Sequence, residues 1–192
     1  MAKIPTLKII GGIYKGRNLQ MAPLEITRSS KAILKESLFN TLSAEIVGVN
    51  FVEFFAGSGS IGIEALSRGA KFALFFEQNK KSYEVLESNL TQICQNKAQY
   101  QLIFGDTFKH YKTALKNIQS PCIGYIDPPF DVRENMEDIY IKSFVMVQDL
   151  EPKIFKFVIL EHHSTLAIPE RIGAFEHIKT RAFGKSSLSY FG

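Results

Sequence analysis

An acid four residues ahead of a Gly-x-Gly turn, a second acid twenty residues beyond that turn, and an Asp-Pro-Pro-Phe segment are the residues of this chain whose types and spacing could do chemistry. The first stands in Val52-Glu53-Phe54-Phe55-Ala56-Gly57-Ser58-Gly59-Ser60-Ile61-Gly62. Gly57 and Gly59 let the backbone turn sharply and approach a ligand, and Gly62 lets a helix pack closely on a strand. A plain strand-to-helix turn is the simpler reading, but the GxGxxG spacing in a first βα unit favours a ligand loop. Spacing alone fits two cofactors. A dinucleotide would set its pyrophosphate on the N-terminus of the helix opening at Ser60, with Glu77 on the ribose. S-adenosylmethionine would use Glu77 for both ribose hydroxyls, and its ammonium and sulfonium would be favoured by Glu53, a carboxylate that repels a pyrophosphate. Glu53 therefore tilts the choice. Asp106 sits where a carboxylate could meet an adenine amine, although Asp106 or Thr107 serves equally well as a helix N-cap.

Tyr125-Ile126-Asp127-Pro128-Pro129-Phe130 stands at the C-terminal end of the fourth apolar run expected to form the sheet. In an open α/β sheet ligands bind at that edge. Two prolines end a strand, and each also holds the residue before it extended. The Asp127 carboxylate and the Pro128 carbonyl would then form a rigid pair of acceptors with the Phe130 ring beside them. That array suits a planar conjugated amine, which has two N–H donors and a ring to stack. Its delocalised lone pair makes it a poor nucleophile. Two acceptors aimed at its hydrogens favour pyramidalisation and stabilise the positive charge that develops as it attacks a methyl sulfonium. The rest is positioning of nucleophile, methyl carbon and sulfur in line.

Five short runs must carry these groups: Phe51 to Phe55, Phe72 to Phe76, Tyr100 to Phe104, Cys122 to Ile126 and Phe155 to Leu160. They are apolar almost throughout, as strands covered on both faces must be. Between them lie stretches of helical period, with Tyr83, Leu86, Leu90 and Ile93 in one and Phe108, Tyr111, Leu115 and Ile118 in the next. That alternation predicts βα units and a mostly parallel sheet. Asn79 is a candidate N-cap, and Gly69 a C′ residue after Ser60 to Arg68. Phe175 to Phe183 and Ser187 to Phe191 predict an antiparallel pair around Gly184. Before the sheet, Leu7 to Gly11 and Arg17 to Met21 predict a small hairpin, and Ser30 to Ala44 a helix burying Ile33, Leu34, Leu38 and Leu42.

The 192 residues are 45% hydrophobic and 22% charged, which suits one packed unit and argues against disorder. The longest stretches free of charged residues have ten residues, about half of what a membrane-crossing helix needs. Met1-Ala2-Lys3-Ile4-Pro5 lacks the apolar core of a secretory signal, so the expected address is cytoplasmic. Cys94 and Cys122 read as buried thiols. Glu161-His162-His163 invites a metal reading, but adjacent histidines on an extended chain point to opposite faces and no other ligand is spaced to help, so no metal is expected. Charge is uneven: residues 1–35 carry seven basic side chains and one acidic, a net of +6, which leaves −2 on the other 157. A basic arm on a near-neutral body suits a polyanion, although a solvated lysine face reads the same way.

The combination of Glu53-Phe54-Phe55-Ala56-Gly57-Ser58-Gly59, Glu77 and Asp127-Pro128-Pro129-Phe130 resembles class I S-adenosylmethionine-dependent methyltransferases acting on exocyclic amino nitrogens. More narrowly, Lys8-Ile9-Ile10-Gly11-Gly12-Ile13-Tyr14-Lys15-Gly16-Arg17-Asn18-Leu19, Glu36-Ser37-Leu38-Phe39-Asn40 and Gly62-Ile63-Glu64-Ala65-Leu66-Ser67-Arg68-Gly69 look like the RsmD family, which methylates N2 of a guanine in 16S ribosomal RNA. The resemblance runs from about Lys8 to the C-terminal strand. It implies a Rossmann-like fold, a seven-stranded, mostly parallel sheet with one antiparallel strand. Residues 1–45 would be an N-terminal extension packed on a methyltransferase domain of residues 46–192. It puts Glu53, Phe55, Gly57, Gly59, Glu77, Gln78 and Asp106, with Thr107 beside it, around the cofactor. Asp127, Pro128, Pro129 and Phe130 fall around a flipped guanine. The hairpin carrying Lys8, Lys15 and Arg17, with Arg28 beyond it, lies against RNA. The implied partner is ribosomal RNA in a small subunit or assembly intermediate, met by a monomer. The chain departs from the family pattern at Arg28-Ser29-Ser30-Lys31-Ala32-Ile33. Other readings are the same chemistry on DNA adenine N6 or a protein glutamine, and an RNA-binding assembly factor whose site has decayed.

Overall fold

Five parallel strands carry the apolar runs, and alternate residues of each face opposite sides of the sheet. In the computed structural model, which describes residues 6–21, 28–129 and 136–192, these are β3 (Asn50–Glu53), β4 (Phe72–Glu77), β5 (Tyr100–Phe104), β6 (Cys122–Ile126) and β7 (Phe155–His163). They are preceded by β1 (Thr6–Lys8), β2 (Asn18–Gln20) and α1 (Arg28–Leu42). The crossovers hold α2 (Ser60–Ser67), α3 (Lys80–Ile93), α4 (Thr107–Ala114) and α5 (Met136–Gln148), and β8 (Arg171–Ile172), β9 (Phe175–Phe183) and β10 (Ser186–Phe191) close the chain. The sheet order is β5-β4-β3-β6-β7-β10-β9-β8. β10 pairs antiparallel with both β7 and β9, so it is the reversed strand between two that point the same way. Seven strands match the sequence reading. The two-residue β8 is an eighth at the edge, too short to leave a periodic signal.

Each face buries its own cluster. Phe51, Phe75, Ile123, Tyr125 and Ile159 pack with Leu34 and Leu38 of α1, Ile63 and Leu66 of α2, and Leu86 and Leu90 of α3. Val52, Phe54, Leu74, Phe76 and Ile126 pack on the other side with Tyr111 of α4 and Met146 and Val147 of α5. A strand with helices on both sides has no face to leave polar, which is why these runs are apolar throughout. Both thiols are buried, as read. Ile33 is the exception to the α1 stripe: it is 61% exposed, and the position after Leu34 that turns inward is Lys35, 1% exposed.

β1 and β2 form a separate two-stranded ladder that is bound tightly to the body. Ile9 and Leu19 are fully buried. The Ile10 amide donates to Glu64 Oε2 at 2.9 Å, the Tyr14 amide to Ser67 Oγ at 2.9 Å, and Ser67 Oγ to the Gly11 carbonyl at 2.5 Å. Gly12, at φ 74°, lies so close to the Ser67 carbonyl that a Cβ there would sit 1.7 Å from the oxygen.

Candidate active site

The strands β3 and β6 are neighbours, yet the chain leaves them toward opposite ends of the sheet, so their carboxyl ends open a crevice at the point where strand order reverses. A cavity of about 470 Å³ fills that crevice. The chain enters α2 through Gly57 and Gly59, at φ 53° and 77°, left-handed values that favour glycine. Glu77, the last residue of β4, clamps this turn: its Oε2 accepts from the Gly57 amide at 2.8 Å and its Oε1 from the Asn79 amide at 2.6 Å. Asn79 caps α3 by accepting from the amides of Lys81 and Ser82. Glu53 is 3% exposed, and its Oε2 accepts from the Gly62 amide at 2.9 Å in the first turn of α2. Gly62 is there for space, since a Cβ would lie 2.3 Å from the Phe75 ring and 2.9 Å from Glu53 Oε2.

Of the residues read from the sequence, Glu53, Phe55, Gly57, Glu77, Gln78, Thr107, Asp127 and Pro129 line this cavity. Phe55 is held edge-on against Phe108 at 5.6 Å. Thr107 is buried and donates its hydroxyl to the Phe54 carbonyl. Gly59 lies beneath the lining, packed on Leu86, and Pro128 is likewise buried. Asp106 accepts from the Phe108 amide at 2.9 Å as the N-cap of α4, the simpler of its two readings. Phe130 and the Arg28 side chain lie outside the described residues. Lys8 and Lys15 are exposed on the N-terminal arm. Arg17 is differently engaged, its guanidinium donating to the Gln92 and Ile93 carbonyls at 2.5 and 3.2 Å and so capping the end of α3.

Other residues complete the wall. Leu7 of β1 and Leu34 of α1 close it from the N-terminal arm, and Tyr125 and Glu161 line it from β6 and β7. The Tyr125 hydroxyl donates to Glu161 Oε2 at 2.5 Å. Burial, then the negative charges of Glu161, Asp127 and Glu53, hold the Tyr125 phenol well above its ordinary pKa, so it stays a proton donor. Asn89 of α3 joins the glycine turn to the arm, donating to the Ser58 and Gln20 carbonyls and accepting from the Gln20 amide, all at 2.9 Å. Glu161 had one signal in the sequence, an acid ending a buried apolar run at the edge where Asp127 stands. Asn89 had none. Among the described residues no group of three or more His, Cys, Asp or Glu side chains could hold a metal ion. His162 is buried with Nε2 2.8 Å from Ser189 Oγ, and its neighbour His163 points elsewhere, to Thr165.

A family model described as "conserved hypothetical protein 95" matches residues 7–192. The chain is 32% identical over 164 residues to "Ribosomal RNA small subunit methyltransferase D" of Haemophilus influenzae, covering 85% of this chain and 83% of that protein. It is 26% identical over 187 residues to YlbH of Bacillus subtilis, covering 96% and 98%. Among solved structures, yhhF of Escherichia coli superposes with a TM-score of 0.76 at 24% identity over 97% of both chains, which speaks to the fold.

Proposed function

The chain belongs to the RsmD family of methyltransferases, and on that footing we propose that it transfers a methyl group from S-adenosylmethionine to N2 of a guanine in small-subunit ribosomal RNA. The observation that carries the reading is the meeting of Glu53, Glu77 and Asp127 on one cavity at the switch point. Its volume lies in the range of about 300–1,000 Å³ usual for small-ligand pockets. Its acids suit a ligand with paired hydroxyls and positive charge, and would repel the pyrophosphate of a dinucleotide. The bound cofactor supplies an electrophilic methyl group.

This chain's residues do the rest. Glu77 accepts from ribose hydroxyls while its backbone bonds fix the glycine turn, and Glu53 offsets the cofactor's positive charge. Asp127 and the Pro128 carbonyl accept the hydrogens of the target amine, which directs its lone pair and stabilises the charge that grows on nitrogen. Asp127 is also placed to receive the surplus proton. The target base must be unstacked to reach this depth, and that costs least in a loop or partly open region of RNA. We propose that the enzyme works as a monomer in the cytoplasm on small subunits or assembly intermediates, with Lys8 and Lys15 on phosphates.

The test is methyl transfer from labelled S-adenosylmethionine to small subunits lacking the modification. Asp127→Ala should lower the rate about 100- to 1,000-fold. The rise in thermal stability with S-adenosylhomocysteine should remain. If the unaltered protein shows neither transfer nor that rise, the decayed assembly factor takes its place.

A further inference from the structure

Glu161 ends the apolar run of β7 with its carboxylate buried and on the cavity wall. The parallel ladder pairs Ile126 with Leu160, so the residues that follow on the two strands, Asp127 and Glu161, stand side by side at the carboxyl edge. Neighbouring strands lie about 4.8 Å apart. Two carboxylates at such a spacing repel unless donors lie around and between them. Tyr125, two residues before Asp127 and on its face of β6, supplies one donor to Glu161.

The pocket around the target amine is thus rich in acceptors, which sorts the RNA bases by their edges. Guanine carries N1–H next to its N2 amine, an unbroken row of donors. Adenine and cytosine carry a lone pair beside the exocyclic amine, and a buried carboxylate facing that lone pair is repulsive. A site built for a hydrogen bond rejects strongly a ligand that lacks the donor. We propose that Glu161 selects guanine by accepting its N1–H, while Asp127 and Pro128 hold the N2 hydrogens and Tyr125 positions the Glu161 carboxylate. This assignment rests on the methyltransferase reading above.

The experiment maps the methylated guanine, then compares small subunits reconstituted with guanine or with 2-aminopurine at that position. 2-Aminopurine keeps the exocyclic amine but has a lone pair at N1. The unaltered enzyme should use guanine at least about 10- to 100-fold faster, the usual effect of a hydrogen bond to a charged group. Glu161→Gln keeps an acceptor for Tyr125 but can donate to a lone pair, so it should slow guanine turnover and narrow the gap to within a few-fold. Tyr125→Phe should narrow it partway. Stabilisation by S-adenosylhomocysteine should persist in both variants, which shows that each is folded. Equal use of the two bases by the unaltered enzyme overturns the role of Glu161 while leaving methyl transfer intact, and needs no variant to fold. A Glu161→Gln enzyme with unchanged preference overturns it too. Absence of any transfer to guanine overturns the methyltransferase reading and this inference together.

Discussion

Glu77 holds a loop as well as facing a cavity, and its substitution separates those roles. Glu77→Gln keeps one acceptor oxygen for the amides of Gly57 and Asn79 and replaces the other with a donor. One amide is left without its partner, which costs roughly 1–3 kcal/mol of stability. Stabilisation by S-adenosylhomocysteine should fall further than that cost explains, and paired melts with and without the compound measure both. Gly62→Ala tests space alone. Its Cβ would meet the Phe75 ring at 2.3 Å, so the expected loss is about 1–3 kcal/mol in urea unfolding. These residues were legible in the sequence because a Gly-x-Gly turn and a terminal acid have a fixed spacing. Glu161 and Asn89 were harder to see because their meaning depends on strand register and helix packing, which join positions 31 to 69 residues apart in the case of Asn89.

At the scale of elements, α1, α2 and the N-terminal ladder meet on buried charge. Lys35 Nζ donates to the Lys8 carbonyl at 2.8 Å and lies 3.4 Å from Glu64 Oε2, while Glu64 Oε1 accepts from Arg68 Nε at 2.8 Å. Arg68 in turn covers the Phe39 ring, 5.0 Å from its centroid. Removing one member of a buried set leaves an uncompensated charge. Glu64→Ala should therefore cost about 3–5 kcal/mol, and adding Lys35→Met should recover part of it. Additive losses in the double variant would show that the pair is not coupled. This junction gives Glu64, Ser67 and Arg68 of α2 and its C-terminal end a shared role: each faces the arm. Helical period located the α1 helix and the inward Leu34, Leu38 and Leu42, and erred only at Ile33. Hydrophobicity favours Ile33 over Lys35, and only a partner on α2 makes the lysine the inward residue.

For the whole molecule, the uneven charge read from composition divides by role once the arm is seen packed. Lys8→Gln with Lys15→Gln should weaken RNA binding and reduce the salt slope by about 0.7 per lost phosphate contact, leaving the melting temperature unchanged. Arg17→Ala should instead lower stability by roughly 0.3–1 kcal/mol, because its guanidinium serves the end of α3. Stability should also depend on pH through groups that burial keeps protonated. Burial pushes the Cys94 thiol up to about 11, Cys122 still higher, and Tyr140 up to about 12. From about pH 9 the unfolded chain releases thiol protons that the folded chain retains, so stability falls as pH rises. Lys35 acts the other way, since burial lowers its pKa from 10.5 and the unfolded chain binds the extra proton. One lysine opposes two thiols and the tyrosines. Urea midpoints should therefore drop between pH 8 and 10, Cys94 alone contributing on the order of 1 kcal/mol. Cys94→Ala should shallow that decline whatever it does to stability at pH 8, and an unchanged slope would place the titrating group elsewhere.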